Sequence, residues 1–190
     1  MKSFIKNWGG FIGVLALFIV LRLYVLTPVS VKGHSMDPAL SDGQKLLTLQ
    51  TKKADRFDVI TLQEPDEPTK LAVKRVIGLP GETIEMKDDQ LTIDGEGIPE
   101  MYLAEYLSLF ESRELAPLYD YNMQFQEMAE YSEHFTNDFI YTVPDGEYFV
   151  LGDNRLVSKD SRYFGPVKEG YIEGKVLWRY WPLSEMKIFN

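Results

Sequence analysis

The chain has 190 residues, 45% of them apolar, and carries 29 acidic against 20 basic side chains for a formal charge of −9; it suits one packed domain with or without an anchor and excludes a disordered tail. The acidic balance excludes the concentrated basic face of a nucleic-acid binder. With no cysteine and two histidines, His34 and His134, disulfide scaffolds and cysteine nucleophiles are excluded, and little remains from which to build a structural zinc site.

In chain order, Lys2 and Lys6 precede an apolar run over 8–26 that Arg22 interrupts. If helical, it can span a hydrocarbon core of about 30 Å. It is longer than the ~7–15 apolar residues of a cleaved signal peptide, and no small-x-small cleavage site follows before Lys32. The run is therefore read as an uncleaved signal anchor, with Arg22 close enough to its end to snorkel. The leading lysines place residues 1–7 in the cytoplasm by the positive-inside rule, and residues 27–190 outside as an extracytoplasmic domain.

Thr27-Pro28 is read as the helix break, after which 29–32 alternates apolar and polar like a strand. A turn at Ser41-Asp42-Gly43 leads to further strand-like runs at 45–49, 58–62, 70–77, 83–86, 91–93, 147–151 and 174–180. Many short strands without long intervening helices predict a mainly β, antiparallel body. Within 100–115, Leu103, Tyr106, Leu107 and Phe110 fall at helical spacing behind Pro99, whereas 119–141 is acidic and aromatic without a period. The stretch 95–142 is accordingly read as a partly helical insertion or cap between two halves of the β body.

The chemistry centres on Ser35, in Gly33-His34-Ser35-Met36-Asp37-Pro38-Ala39-Leu40. A serine nucleophile needs a base. If the strand at 29–32 continues, His34 and Ser35 point to opposite faces, which argues against that pair. His134 lies in the irregular insertion. The G-x-S-x-G elbow is absent because position 37 is Asp. Lys74 remains, and strand alternation puts it on one face with Ala72 and Val76. A solvated lysine is only about 0.1% neutral near pH 7.4, but burial can lower its pKa by up to ~3–5 units and make it a base. Spacing alone favours an ordinary strand-edge lysine.

Four stretches speak more specifically: Ser35 to Leu40; Arg56-Phe57-Asp58-Val59-Ile60; Lys74-Arg75-Val76-Ile77-Gly78-Leu79-Pro80-Gly81-Glu82; and Gly152-Asp153-Asn154-Arg155-Leu156-Val157-Ser158-Lys159-Asp160-Ser161-Arg162. In this order they resemble the sequence boxes of type I signal peptidases, and the single anchor and short length are most similar to the Gram-positive form. The resemblance covers essentially the whole chain apart from 95–142. It implies a membrane-bound serine endopeptidase that cleaves signal peptides from exported preproteins, on an antiparallel β body with one N-terminal transmembrane helix.

By the same resemblance Ser35 is the nucleophile, Lys74 the general base and Ser158 the hydroxyl that orients the lysine. Asp153 with Arg75, and Asp160 with Arg162, are implied ion pairs of the site, and Asn154 and Arg155 shape the same loop. Val29, Val31, Met36, Leu40, Ala72 and Val73 match the substrate pockets, which select small side chains at the first and third positions before the cut. The implied partners are preproteins, membrane lipid and the secretion translocase; no metal, cofactor or nucleic acid is implied.

Two positions depart from the pattern. Gly33 stands where some members have a serine whose hydroxyl donates to the oxyanion, so the second donor is left open, and Ala39 replaces a usual threonine. Two other readings stand beside this one: a Ser-Lys self-cleaving repressor, disfavoured by the anchor and the lack of a DNA-binding segment, and a catalytically idle relative acting in surface-protein or pilus assembly.

Overall fold

The computed structural model describes residues 2–189, with side chains from residue 8 onward except those at 17, 20, 21 and 23. Helix α1 spans Lys2–Tyr24. Among the described residues no helix is long and apolar enough to cross a membrane; the anchor expected over 8–26 includes side chains outside the described ones, as does the stretch 1–7. The helix stops before the expected break at Thr27-Pro28, because Leu26 and Thr27 already pair with Leu49 and Thr48. Strand β1 is thus Leu26–Ser30, earlier than the alternation at 29–32 suggests. Pro28 is tolerated there because β1 lies at a sheet edge, where one side of the strand needs no N–H.

The chain continues through β2 (Lys45–Leu49), β3 (Val59–Glu64), β4 (Glu67–Gly78), β5 (Thr83–Lys87), β6 (Gln90–Ile93) and β7 (Glu96–Gly97). The insertion supplies α2 (Ala104–Glu111) and α3 (Met123–Tyr131), and β8 (Phe139–Thr142) returns to the body. Then come β9 (Glu147–Leu151), α4 (Ser161–Phe164), β10 (Val167–Lys168), β11 (Ile172–Trp181) and β12 (Lys187–Ile188).

Antiparallel pairing arranges these as a large sheet in the order β1-β2-β11-β3-β4-β9-β10, with β12 on β11, and a second sheet in the order β7-β6-β5-β8. Because β8 pairs with β5, the last residues of the stretch expected to be insertion belong to the second sheet. The insertion has an apolar core of its own, in which Phe110, Tyr119, Ala129 and Phe135 pack with Leu156 from the loop after β9. It is therefore seated on that loop.

Among the strand edges that the large sheet leaves open are those of β1 and of the first part of β4. β1 ends the sheet and pairs only with β2. β4 pairs with β3 from Glu67 to Arg75, but β9 covers only its last part, from Arg75 to Gly78. The side of β4 before Arg75 is left without a strand.

Candidate active site

Ser35 sits in the turn that follows β1. Met36 and Leu40 are buried with Val31 and Leu46, and Leu40 N–H donates to the Met36 carbonyl at 2.9 Å. The turn is thereby pinned from below, while Ser35 itself stays half-buried at its rim. Its carbonyl accepts from Asn154 N–H at 3.1 Å.

Lys74 lies on β4 opposite Ile60, and the alternation that groups it with Ala72 and Val76 holds: all three are buried. Its Nζ is 2.9 Å from Ser35 Oγ. Burial lowers its pKa from 10.5 to about 8, a fall that the carboxylates of Asp160 and Glu64 limit. At that value roughly a fifth of the lysines are neutral near pH 7.4, against about 0.1% for a solvated one. A neutral amine at this distance can accept the serine proton.

His34 is engaged elsewhere. Its Nδ1 lies 3.0 Å from Asp37 Oδ2 and its ring stacks on Tyr121, with centroids 4.2 Å apart. The strand argument against His34 does not apply, since the chain turns here, yet the outcome is the same. His134 is 4.0 Å from Asp88 and does not line the Ser35 cleft. Among the described residues Asp88, His134 and Asp138 come close enough to share a cation, at a place unrelated to Ser35.

The loop after β9 is built on buried ion pairs. Asp153 takes Arg75 Nε at 2.8 Å and an Arg75 Nη at 2.6 Å, and Arg75 also donates to the Phe57 carbonyl at 2.8 Å. Burial opposes the Arg75 charge, but Asp153 outweighs it and raises its pKa. Asp160 accepts from Arg162 at 2.8 and 2.9 Å and from Gly152 N–H at 3.0 Å. Burial works against the Asp160 charge too, yet Arg162 and Gly152 hold its carboxyl below the usual range. Arg155, wholly enclosed, pairs with Glu100 at the start of the insertion.

Ser158 does not make the hydrogen bond to Lys74 that the resemblance implies. Its buried Oγ helps hold the Asp160 carboxyl low and occupies the space beside Gly152, where an added Cβ would meet it at 2.2 Å. The same Cβ would stand 2.4 Å from the Ser35 carbonyl oxygen. Only glycine lets the two loops approach this closely. Gly152→Ala is therefore expected to push the Ser35 turn away from its seat and cut peptidase activity at least 100-fold, since about 1 Å of misplacement can cost that much; near-normal turnover by the purified variant would contradict this.

A cleft of about 760 Å³ opens at Ser35, lined on one wall by β1 and the residues after it and on the other by Thr69 to Lys74. The two unpaired edges thus face each other across it. Val29, Val31, Met36, Ala72 and Val73 line it. Leu40 does not: it is fully buried beneath the turn. Phe125 of α3 joins the lining with Val157, a contribution that residue spacing in the acidic, aromatic stretch does not reveal. Glu64, Lys70 and Lys159 also line it, with Glu64 pairing to both lysines.

A family model described as signal peptidase, peptidase S26, matches residues 5–181. A signal peptidase I of Streptococcus pneumoniae (strain ATCC BAA-255 / R6) is 39% identical over 201 aligned residues, covering 99% of this chain and 98% of that one. A signal peptidase IB of Staphylococcus aureus (strain COL) is 34% identical, covering 98% and 95%. A crystal structure of a signal peptidase I from Enterococcus faecalis V583 shares 40% identity, covers 66% of this chain and 97% of that one, and has a TM-score of 0.49. On the family match and the near-complete coverage of the Streptococcus pneumoniae and Staphylococcus aureus proteins, the chain belongs to the signal peptidase family, peptidase S26.

Proposed function

We propose that the signal-peptide cleavage of this family runs here through Ser35 as nucleophile and Lys74 as general base. The observation that carries the reading is a lysine 3% exposed, with its amine 2.9 Å from a serine hydroxyl. An idle assembly factor would have no use for it: a buried amine without catalytic work is a standing cost to the fold.

Lys74 takes the Ser35 proton as Oγ attacks the scissile carbonyl, and the ammonium then gives that proton to the departing amine. The ester left on Ser35 is hydrolysed by a water that Lys74 deprotonates, and the serine is restored. The developing oxyanion is met by Ser35 N–H, which has no acceptor among the described residues. Gly33 has no side chain to add a second donor. Ser158, a buried hydroxyl beside the Ser35 turn that also interacts with Asp160, enters as the group that orients the lysine. Asp153 with Arg75 and Asp160 with Arg162 fix the loop around the dyad without touching the reacting atoms.

The substrate lies extended between the open edges of β1 and β4, adding main-chain hydrogen bonds to both. Val29, Val31, Met36, Ala72 and Val73 form an apolar lining that suits small residues at the first and third positions before the cut. The run 8–26 anchors the chain in the membrane with the catalytic body outside, close to where signal peptides of exported preproteins emerge. Resistance of the full chain to alkaline carbonate extraction from membranes agrees with the anchor; release contradicts it.

The test of the dyad is cleavage of a preprotein in detergent. Wild type should cut after a small-x-small sequence and Ser35→Ala should not, with both folded. Equal cleavage by the two would refute the assignment.

A further inference from the structure

We propose that the insertion positions the nucleophile: Tyr119, through Asn154, and Tyr121, through His34, hold the turn that carries Ser35. The inference rests on the reading of Ser35 as nucleophile and gives the insertion a role in that same site.

Ser35 belongs to no strand or helix, so its placement depends on what grips the turn. One grip is a relay of two hydrogen bonds: Asn154 N–H donates to the Ser35 carbonyl at 3.1 Å, and Tyr119 Oη donates to Asn154 Oδ1 at 2.9 Å. Both relay residues are sealed from solvent, Tyr119 at 1% and Asn154 at 0% exposure. The other grip is the stack of Tyr121 on His34, nearly parallel at 26°. The two tyrosines meet edge-on, with centroids 6.2 Å apart. A single short segment of the insertion therefore reaches His34 directly and Ser35 through Asn154.

That segment is itself fixed. Tyr119 packs in the insertion's apolar core, and Asn122 caps α3 by accepting from Gln124 N–H and Phe125 N–H at 3.0 and 3.2 Å. Burial raises the Tyr119 pKa, so the hydroxyl remains a donor wherever the lysine is neutral. A tyrosine serving only as core filler would need a partner for its hydroxyl, but that partner need not also hold the nucleophile.

The test uses the full chain in detergent and compares Tyr119→Phe with Phe110→Leu, which loosens the same core without touching the relay. Tyr119→Phe is expected to lower kcat about tenfold with KM and the pH midpoint unchanged, because the groove and Lys74 are intact. Phe110→Leu should lower the melting temperature while keeping kcat near wild type. Unchanged kcat in Tyr119→Phe overturns the proposal. So does an equal kcat loss in Phe110→Leu, since the effect would then follow general loosening rather than the hydroxyl. Wild type inert on every preprotein would instead refute the peptidase reading beneath it, before any variant is compared.

Discussion

Lys74→Met is expected to abolish cleavage while making the folded chain more stable at neutral pH. Removing a general base costs about 10²–10⁴-fold in rate, and methionine offers no lone pair of comparable basicity. The stability gain comes from the site itself: a pKa that falls from 10.5 to about 8 on burial corresponds to a penalty on the order of 3 kcal/mol for keeping the ammonium in the fold. Below pH 8 both folded and unfolded chains hold the proton, and the whole penalty is present. Between 8 and 10.5 the unfolded chain still binds it while the folded chain has released it, so wild-type stability rises with pH. Above 10.5 the penalty is gone. Urea unfolding of the two proteins at several pH values should show the variant more stable at pH 7 and the gap closing as pH rises through that window. A variant less stable than wild type at pH 7, by an amount independent of pH, would contradict the desolvated lysine.

Asp153→Ala is expected to destabilise the chain by about 3–5 kcal/mol, the usual cost of leaving one partner of a buried ion pair behind. The Arg75 guanidinium would retain only the Phe57 carbonyl and the face of Tyr102, 4.1 Å away. Arg75 directly follows Lys74, so the same variant should also lose most of its activity. Replacing both partners by apolar residues should recover much of the stability, because the uncompensated charge is then removed. The exposed pair of Lys159 and Asp66 is a useful contrast, since ion pairs in solvent contribute little. Unfolding of Asp153→Ala within 1 kcal/mol of wild type would show that solvent or another group takes over from the carboxylate.

How far the sequence can be read depends on the range of the interaction that decides each feature. The strands at 45–49 and 147–151 form with the expected ends, and the face shared by Ala72, Lys74 and Val76 follows from the period of two, because both are local properties. The boundary between α1 and β1 is not local. Leu26 closes the apolar run and Thr27 falls at the expected helix break, and only pairing with Leu49 and Thr48 makes them strand.

In the insertion, α3 lacks a clean apolar stripe, and its most local signal is the capping Asn122. Grouping Leu40 with the pocket residues fails for a similar reason: the turn directs it beneath Ser35 into the core, and residue type does not distinguish core from groove. The links from Glu100 to Arg155 and from Tyr119 to Asn154 join residues 55 and 35 positions apart. No period or motif connects them. The Ser35 and Lys74 pairing, 39 positions apart, is legible only because family resemblance supplies what spacing leaves open.

The measurement that bears most directly on the dyad is the pH dependence of kcat/KM for wild type on a preprotein, with Ser35→Ala as the zero. This quantity reports the essential groups of the free enzyme. With Lys74 as the base, the rate should rise about tenfold per pH unit below a midpoint near 8, level off above it, and be absent throughout in Ser35→Ala. A midpoint near 6.5, where an unperturbed histidine titrates, or a flat profile with activity surviving in Ser35→Ala, would contradict the account.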